Sequence, residues 1–331
     1  MLKENNYETH EKMMATTYID LTRHGNRYGG PMEITFYDGS KIKFDDSTDL
    51  TEEGRKDAVN FGAEGIPPEV TLVHLRGGDE PRHGQTGDDI VKGSEKFGIH
   101  KEGEEPSPVR DKAGRVKGAR RGQGVDYASS GLMPFLKPFK QMINDELNKI
   151  VSTLSPEEQE KLKTNPELRA KYREQAQVFG LKAAINDPKL AEIAAENEAN
   201  ELLHVVELSR RGVKAGEIKS IPIVGSGLFA ESLLKHALVV EDLETANKKT
   251  GFESVDEIGG FTKQATSFRI KLMRDAELGD ARNMEDFNKD TKVEYEFTDP
   301  ERKKLFGGKK VSLDWNIVNE LANKFRFKRQ G

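Results

Sequence analysis

The sequence predicts an α/β sandwich built around a largely parallel sheet. Apolar runs at Tyr18, Val70 and Ile221 each lead into a helix or into a loop that reaches one, the alternation expected of parallel strands joined by crossovers. In such sheets ligands sit beyond the carboxyl ends of the strands. The side chains able to do chemistry fall there: Arg23, His24 and Arg27 after the first run, Arg82 after the second and Ser226 after the third.

Residues 1–16 read as a polar leader, and residues 17–331 as one α/β domain interrupted at about 87–185 by a loop and an α-helical insertion. The first strand lies in Tyr18-Ile-Asp-Leu-Thr-Arg-His-Gly-Asn-Arg27 and runs straight into two arginines that bracket a histidine. Guanidinium forks suit phosphate oxygens, and the charge of the flanking arginines disfavours imidazolium, so His24 is expected to stay neutral and nucleophilic near pH 7. Gly25 removes a side chain beside the imidazole. From Met32 to Phe44 apolar and polar residues alternate on both sides of Asp38-Gly39, a hairpin signal; the ribbon either covers an edge of the core or lines the mouth of the site. Thr51 caps a helix with Glu52 and Glu53 in its first turn and with Ala58 and Phe61 three apart. Val70 to Leu75 is the second strand, and Arg82-His83-Gly84-Gln85-Thr86 follows it.

Residues from Gly87 to Gly124 are rich in glycine, lysine and glutamate and read mainly as loop. Lys112, Arg115, Lys117, Arg120 and Arg121 give it local positive charge, either to close over an anion or to be solvated beside Glu102, Glu104 and Glu105. Leu132 to Gly216 is helical in pattern. Ser155 and Asn165 each precede a proline at a first helical position, and Asn186-Asp-Pro opens a long helix with Leu190, Ile193, Leu202, Val205 and Val206 as a buried stripe. The helices from about Phe135 to Gly180 read as a cap that selects a substrate or binds a partner, although packing alone explains their pattern. Ile221 to Leu234 is a strand, a small-residue turn and an apolar helix. Strands near Ser267 to Leu272 and Lys292 to Phe297 and a helix around Leu313 to Phe325, anchored by Trp315, complete the chain.

Taken in order, these segments resemble the histidine phosphatase superfamily, which includes the cofactor-dependent phosphoglycerate mutases. The resemblance rests on Arg-His-Gly at 23–25, on the helix from Leu50 to Phe61, on Arg82 with Gln85-Thr86, which is similar to the family's arginine, any, any, Gln-Thr element, and on Ile221 to Leu234. It implies a three-layer, phosphoglycerate mutase-like sandwich in which His24 forms a phosphohistidine, Arg23, Arg27 and Arg82 neutralise the phosphoryl oxygens, and water releases phosphate without metal or cofactor. Arg76 competes with Arg82 for its place, and Arg82 is preferred. Where the family carries a second histidine, this chain has Ser226, able to offer phosphate one hydrogen bond but no charge. His74 and His83 are candidate replacements; His236 lies about three helical turns beyond Ser226 and is a poor one. The proton donor is unidentified, with Glu104, Glu105, Asp111 and Asp126 in a suitable stretch. Two functions follow. The first is a phosphomonoester hydrolase, slow or adapted to a good leaving group; the second is an inactive relative that binds a phosphorylated ligand, or a protein through its helices.

Composition narrows the classes. A net charge of -5 and a pI near 5.9 argue against a dedicated nucleic-acid binder, and phosphate or a phosphorylated small molecule is the expected partner. Zero cysteines exclude disulfides, thiolate catalysis and cysteine-based zinc sites. There is neither a signal-peptide core in the first residues nor an apolar run of membrane-spanning length, so the cytoplasm is the expected compartment. The sequence leaves the oligomeric state open.

Overall fold

The computed structural model describes residues 14–25, 27, 32–44, 49–70, 72–73, 75–77, 81–94, 120–121, 132–210, 218–225, 227–263, 266–275, 278 and 288–328. Its centre is a mixed seven-stranded sheet. In it β1 (Met14–Arg23) pairs in parallel with β7 (Ile218–Gly225) and antiparallel with β10 (Ser267–Asp275). Beyond β7 lie the short parallel strands β4 (Leu72–Val73) and β5 (Arg76–Gly77), with β6 (Arg120–Arg121) parallel to β5; beyond β10 lies antiparallel β11 (Thr291–Phe297). The parallel arrangement expected from the sequence thus holds on the β7 side of β1. On the other side the late strands return antiparallel, a pairing that needs no helical crossover. β1 also takes in Met14 to Thr16, read from the sequence as leader, because Met14 pairs with Asp275 and Thr16 with Ile218.

The alternation of side chains along a strand divides the core. Ile19 and Leu21 of β1 join Ile221, Ile223, Phe268 and Ile270 in a cluster with α6 (Pro188–Arg210), α7 (Gly227–Ala237) and α9 (Trp315–Lys328). Tyr18 and Val224 belong to a second cluster with α1 (Glu52–Asn60) and α2 (Pro81–Ser94). Asp20 is fully buried and accepts from Arg269 Nε at 2.8 Å and Nη2 at 3.2 Å and from Ser267 Oγ at 2.8 Å. A buried carboxylate with this many donors has its desolvation cost offset, and it ties β10 to β1 below the site.

The helices begin where local chemistry places them. Thr51 accepts from Gly54 N at 2.9 Å to cap α1. α3 (Met133–Ser152), α4 (Pro156–Thr164) and α5 (Pro166–Asn186) form the helical segment; Ser155 and Glu158 make a reciprocal capping box for α4, and Asn165 caps α5. Asp187 Oδ1 accepts from Leu190 N at the start of α6, where Leu190, Leu202, Val205 and Val206 are buried as the stripe required and Ile193 packs against them. The hairpin of β2 (Glu33–Thr35) and β3 (Lys41–Lys43) turns at Gly39, φ +80°. It docks on α3 through Asn144 and Asn148 and buries Ile34 and Phe36 with Leu147 and Val151, so it covers the helices and not the sheet.

Three features depart from the sequence reading. α2 continues to Ser94, through glycines that suggested loop from Gly87 onward; a Cβ at Gly93 would collide with Val59 O and one at Gly62 with Ile90 O, so these glycines allow α2 and the preceding helical turns to touch. Residues 95–119 and 122–131, with Glu104, Glu105, Asp111 and Asp126 among them, lie outside the described residues. A small antiparallel sheet of β8 (Leu238–Asp242), β9 (Lys248–Thr250) and β12 (Lys309–Leu313) was not foreseen, because β9 is wholly exposed and β12 largely polar. The short α8 (Pro300–Leu305), capped by Asp299, was also missed. Trp315 packs against the main cluster and donates to Tyr295 OH at 2.7 Å. Among the described residues no helix is long and apolar enough to cross a membrane.

Candidate active site

β1 and β7 end side by side, with Arg23 paired to Gly225 and His24 N donating to Gly225 O at 3.0 Å. His24 therefore leaves the sheet at the carboxyl edge of two adjacent parallel strands. Its Nδ1 lies 2.6 Å from Gly25 O. A carbonyl only accepts, so the proton sits on Nδ1 and the lone pair of the neutral ring is on Nε2. The ring is buried, with 4% exposure, and its pKa is held well below the ordinary histidine value, first by desolvation and then by Arg82, His83 and Arg23. The result is a neutral imidazole of fixed tautomer near neutral pH.

The bend after His24 is fixed by contacts that leave little room. A Cβ on Gly25 would stand 2.5 Å from Gly54 O on α1, so residue 25 must lack one. Gly25 N donates to Thr86 Oγ1 at 3.1 Å, and the same hydroxyl donates to Arg82 O at 2.7 Å. Gln85 accepts from Leu50 N at 2.8 Å and donates to Asp49. Gln85 and Thr86 thus tie the first turn of α2 to both the histidine bend and the approach to α1. Arg82 and His83 are held in place by the backbone that carries them.

The structure gathers Arg23, His24 and Arg82. Arg23 is buried and donates to Glu174 at 2.6 Å and to Thr262 O at 3.4 Å. Gly227 lets it pass: a Cβ there would lie 3.2 Å from Arg23 Cδ. Arg82 is 1% exposed and is the largest charge effect on His24, whereas Arg76 is ion-paired with buried Glu201. Arg27 meets the cluster through its backbone, bridging to Leu50 and accepting from Arg173 Nη2 at 2.8 Å. Ser226 and His74 lie outside the described residues. His236 is at the far end of α7, where burial and the charges of Glu192, Lys235 and Lys324 act on it.

Two participants escaped the sequence reading. Arg173 and Glu174 come from α5, in the segment whose pattern packing alone explained. Arg173 is 1% exposed, and its pKa is lowered to about 10 by desolvation, with Glu174 opposing and Arg82 and Arg23 adding to the fall. Its signal was present: Arg173 lies in register with buried Ala170, Ala176 and Gly180, a charge inside an apolar stripe. His83, one of the two candidate replacements for the second histidine, is 2% exposed, with its ring centroid 5.5 Å from that of His24 and the planes tilted by 42°. Like charges gathered around two imidazoles make a place suited to an anion. Among the described residues no group of three histidine, aspartate or glutamate side chains is arranged to hold a metal ion. A cavity of about 750 Å³ opens elsewhere, lined in part by Tyr18, Arg269, Lys271 and Tyr295; Tyr18 is six positions before His24 on the strand, roughly 20 Å away.

No family model matches the chain, and no curated protein matches it in sequence. Among solved structures it is similar to a phytase from Klebsiella sp ASR1, at 11% identity over 92% of this chain and 88% of that one, TM-score 0.37. It is also similar to a phosphoglycerate mutase from Bacillus anthracis str. Sterne, at 16% identity over 85% and 98%, TM-score 0.33. A phytase from Citrobacter braakii has 10% identity over 86% and 85%, TM-score 0.39. Likenesses at this level carry no weight for activity.

Proposed function

We propose that the chain is a phosphomonoester hydrolase of the histidine phosphatase type, acting through a phosphohistidine on His24. The observation that carries this reading is a neutral imidazole with Nδ1 facing a backbone carbonyl, set beside Arg23 and Arg82, with the charge of Arg173 acting on both arginines. Nε2 attacks phosphorus in line, the P–N bond forms as the P–O ester bond breaks, and water then cleaves the P–N bond to give inorganic phosphate. Arg23, Arg82 and Arg173 stabilise the equatorial oxygens, charge meeting charge where it develops; Arg27 and Ser226 complete the anion pocket. In this reading α3 to α5 form a cap over the site, and the two apolar clusters fill the interlayer spaces of a three-layer, phosphoglycerate mutase-like sandwich. The substrate is a phosphorylated small molecule, and the reaction draws on no cofactor.

The test is turnover of an aryl phosphate by wild type and His24→Ala across pH 4 to 9, because an aryl leaving group needs little protonation. Activity in wild type that vanishes in the variant is the expected result. Equal, negligible rates would replace the hydrolase with a phosphate-binding module.

A further inference from the structure

Resting on the hydrolase reading, we propose that His83 is a catalytic residue of the same site: it gives a proton to the leaving oxygen and takes one back from the attacking water. A phosphomonoester with an alkyl leaving group cannot depart as alkoxide without a proton, and the donor must reach the phosphoryl group that His24 attacks. Among the described residues, the groups whose charges act on His24 are Arg82, His83 and Arg23. Arginine does not release its proton in proteins, whereas imidazole exchanges one readily.

Geometry supports the assignment. Ring centroids 5.5 Å apart let both imidazoles touch one phosphoryl group. His83 follows Arg82 in the first turn of α2 and is held to the histidine bend by the Thr86 hydroxyl, which accepts from Gly25 N and donates to Arg82 O. Glu174, by contrast, is committed to Arg23 at 2.6 Å.

When the substrate dianion arrives, the adjacent negative charge favours protonated His83. In the first step the His24 Nε2–P bond forms, the P–O ester bond breaks, and the imidazolium proton of His83 passes to the leaving oxygen, giving a neutral alcohol. In the second, water attacks phosphorus, its proton goes to His83, and the P–N bond breaks with the electron pair returning to His24 Nε2. The Nδ1 proton of His24 stays against Gly25 O throughout.

The test is the leaving-group dependence of His83→Gln and His83→Ala, read as kcat/KM for a nitrophenyl phosphate and for an alkyl phosphate in the same preparation. The ratio within one preparation does not depend on how much of the variant is folded. Loss of the proton donor should cost about 10² to 10⁴-fold on the alkyl ester and less than about tenfold on the nitrophenyl ester, where none is needed. Equal losses on both esters, or none, would overturn the assignment while the hydrolase reading survives, provided His24→Ala is inactive. Wild type inactive on both esters would remove the two together.

Discussion

Glu198 is the place where the charge network behind the site can be measured. It lies on α6, buried, beside Glu201 and Glu231. Glu201 is engaged by Arg76, whose strand pairs with β7 at Ile223, and Glu231 accepts from Thr262 N and faces Arg302 at 3.6 Å. Desolvation first, then the two neighbouring carboxylates, push the Glu198 pKa from the ordinary 4.5 up to about 8. Between those values the folded chain keeps a proton that the unfolded chain has lost. Stability therefore falls as pH rises through the window and levels off above pH 8. At about 1.4 kcal/mol per pH unit, the loss from this group between pH 5 and pH 8 is about 4 kcal/mol. Glu198→Gln keeps the shape and removes the titration. Urea unfolding followed by circular dichroism at pH 5, 6.5 and 8 should show the variant gaining on wild type by a few kcal/mol across that range. A difference constant to within about 1 kcal/mol would refute the reasoning, because it would mean that the carboxyl ionises at its ordinary value.

Gly25→Ala places a methyl against Gly54 O; overpacking of this kind costs about 1 to 3 kcal/mol, seen as a lower urea midpoint together with reduced turnover. His24 has the opposite pH sign to Glu198: its folded pKa is depressed, so its contribution is present above about pH 6.5 and is lost as pH falls toward the folded value, at most about 1.4 kcal/mol per pH unit. Unfolding of wild type and His24→Gln at pH 5, 6 and 7 should show the steeper acid loss in wild type. Arg173→Met should weaken inorganic phosphate binding by about 2 kcal/mol, or roughly 30-fold, as loss of one charged hydrogen-bond donor; calorimetric titration giving an unchanged Kd would remove Arg173 from the pocket.

Much of this was legible because it is local. Thr51, Ser155 and Asn165 cap helices by bonding backbone a few residues on, and the alternation around Asp38-Gly39 specifies a hairpin by itself. The strand carrying His24 was equally plain, since Tyr18 to Leu21 are all buried. What stayed hidden depends on distant partners. The glycines of α2 read as loop until Leu75 is set against Gly87 and Val59 against Gly93. Arg173 reads as one more charge on a helix until α5 meets the β1 bend, and His83 as one of two candidate replacement histidines until its ring lies beside that of His24.

The most direct measurement is capture of the intermediate. Wild type is mixed with a labelled phosphomonoester, quenched in alkali, where phosphohistidine survives, and mapped by peptide mass spectrometry. The account predicts one phosphoryl group on the peptide containing His24, formed and lost at rates compatible with turnover and missing in His24→Ala. Turnover that persists in His24→Ala, or proceeds without phosphorylation of His24, would contradict it.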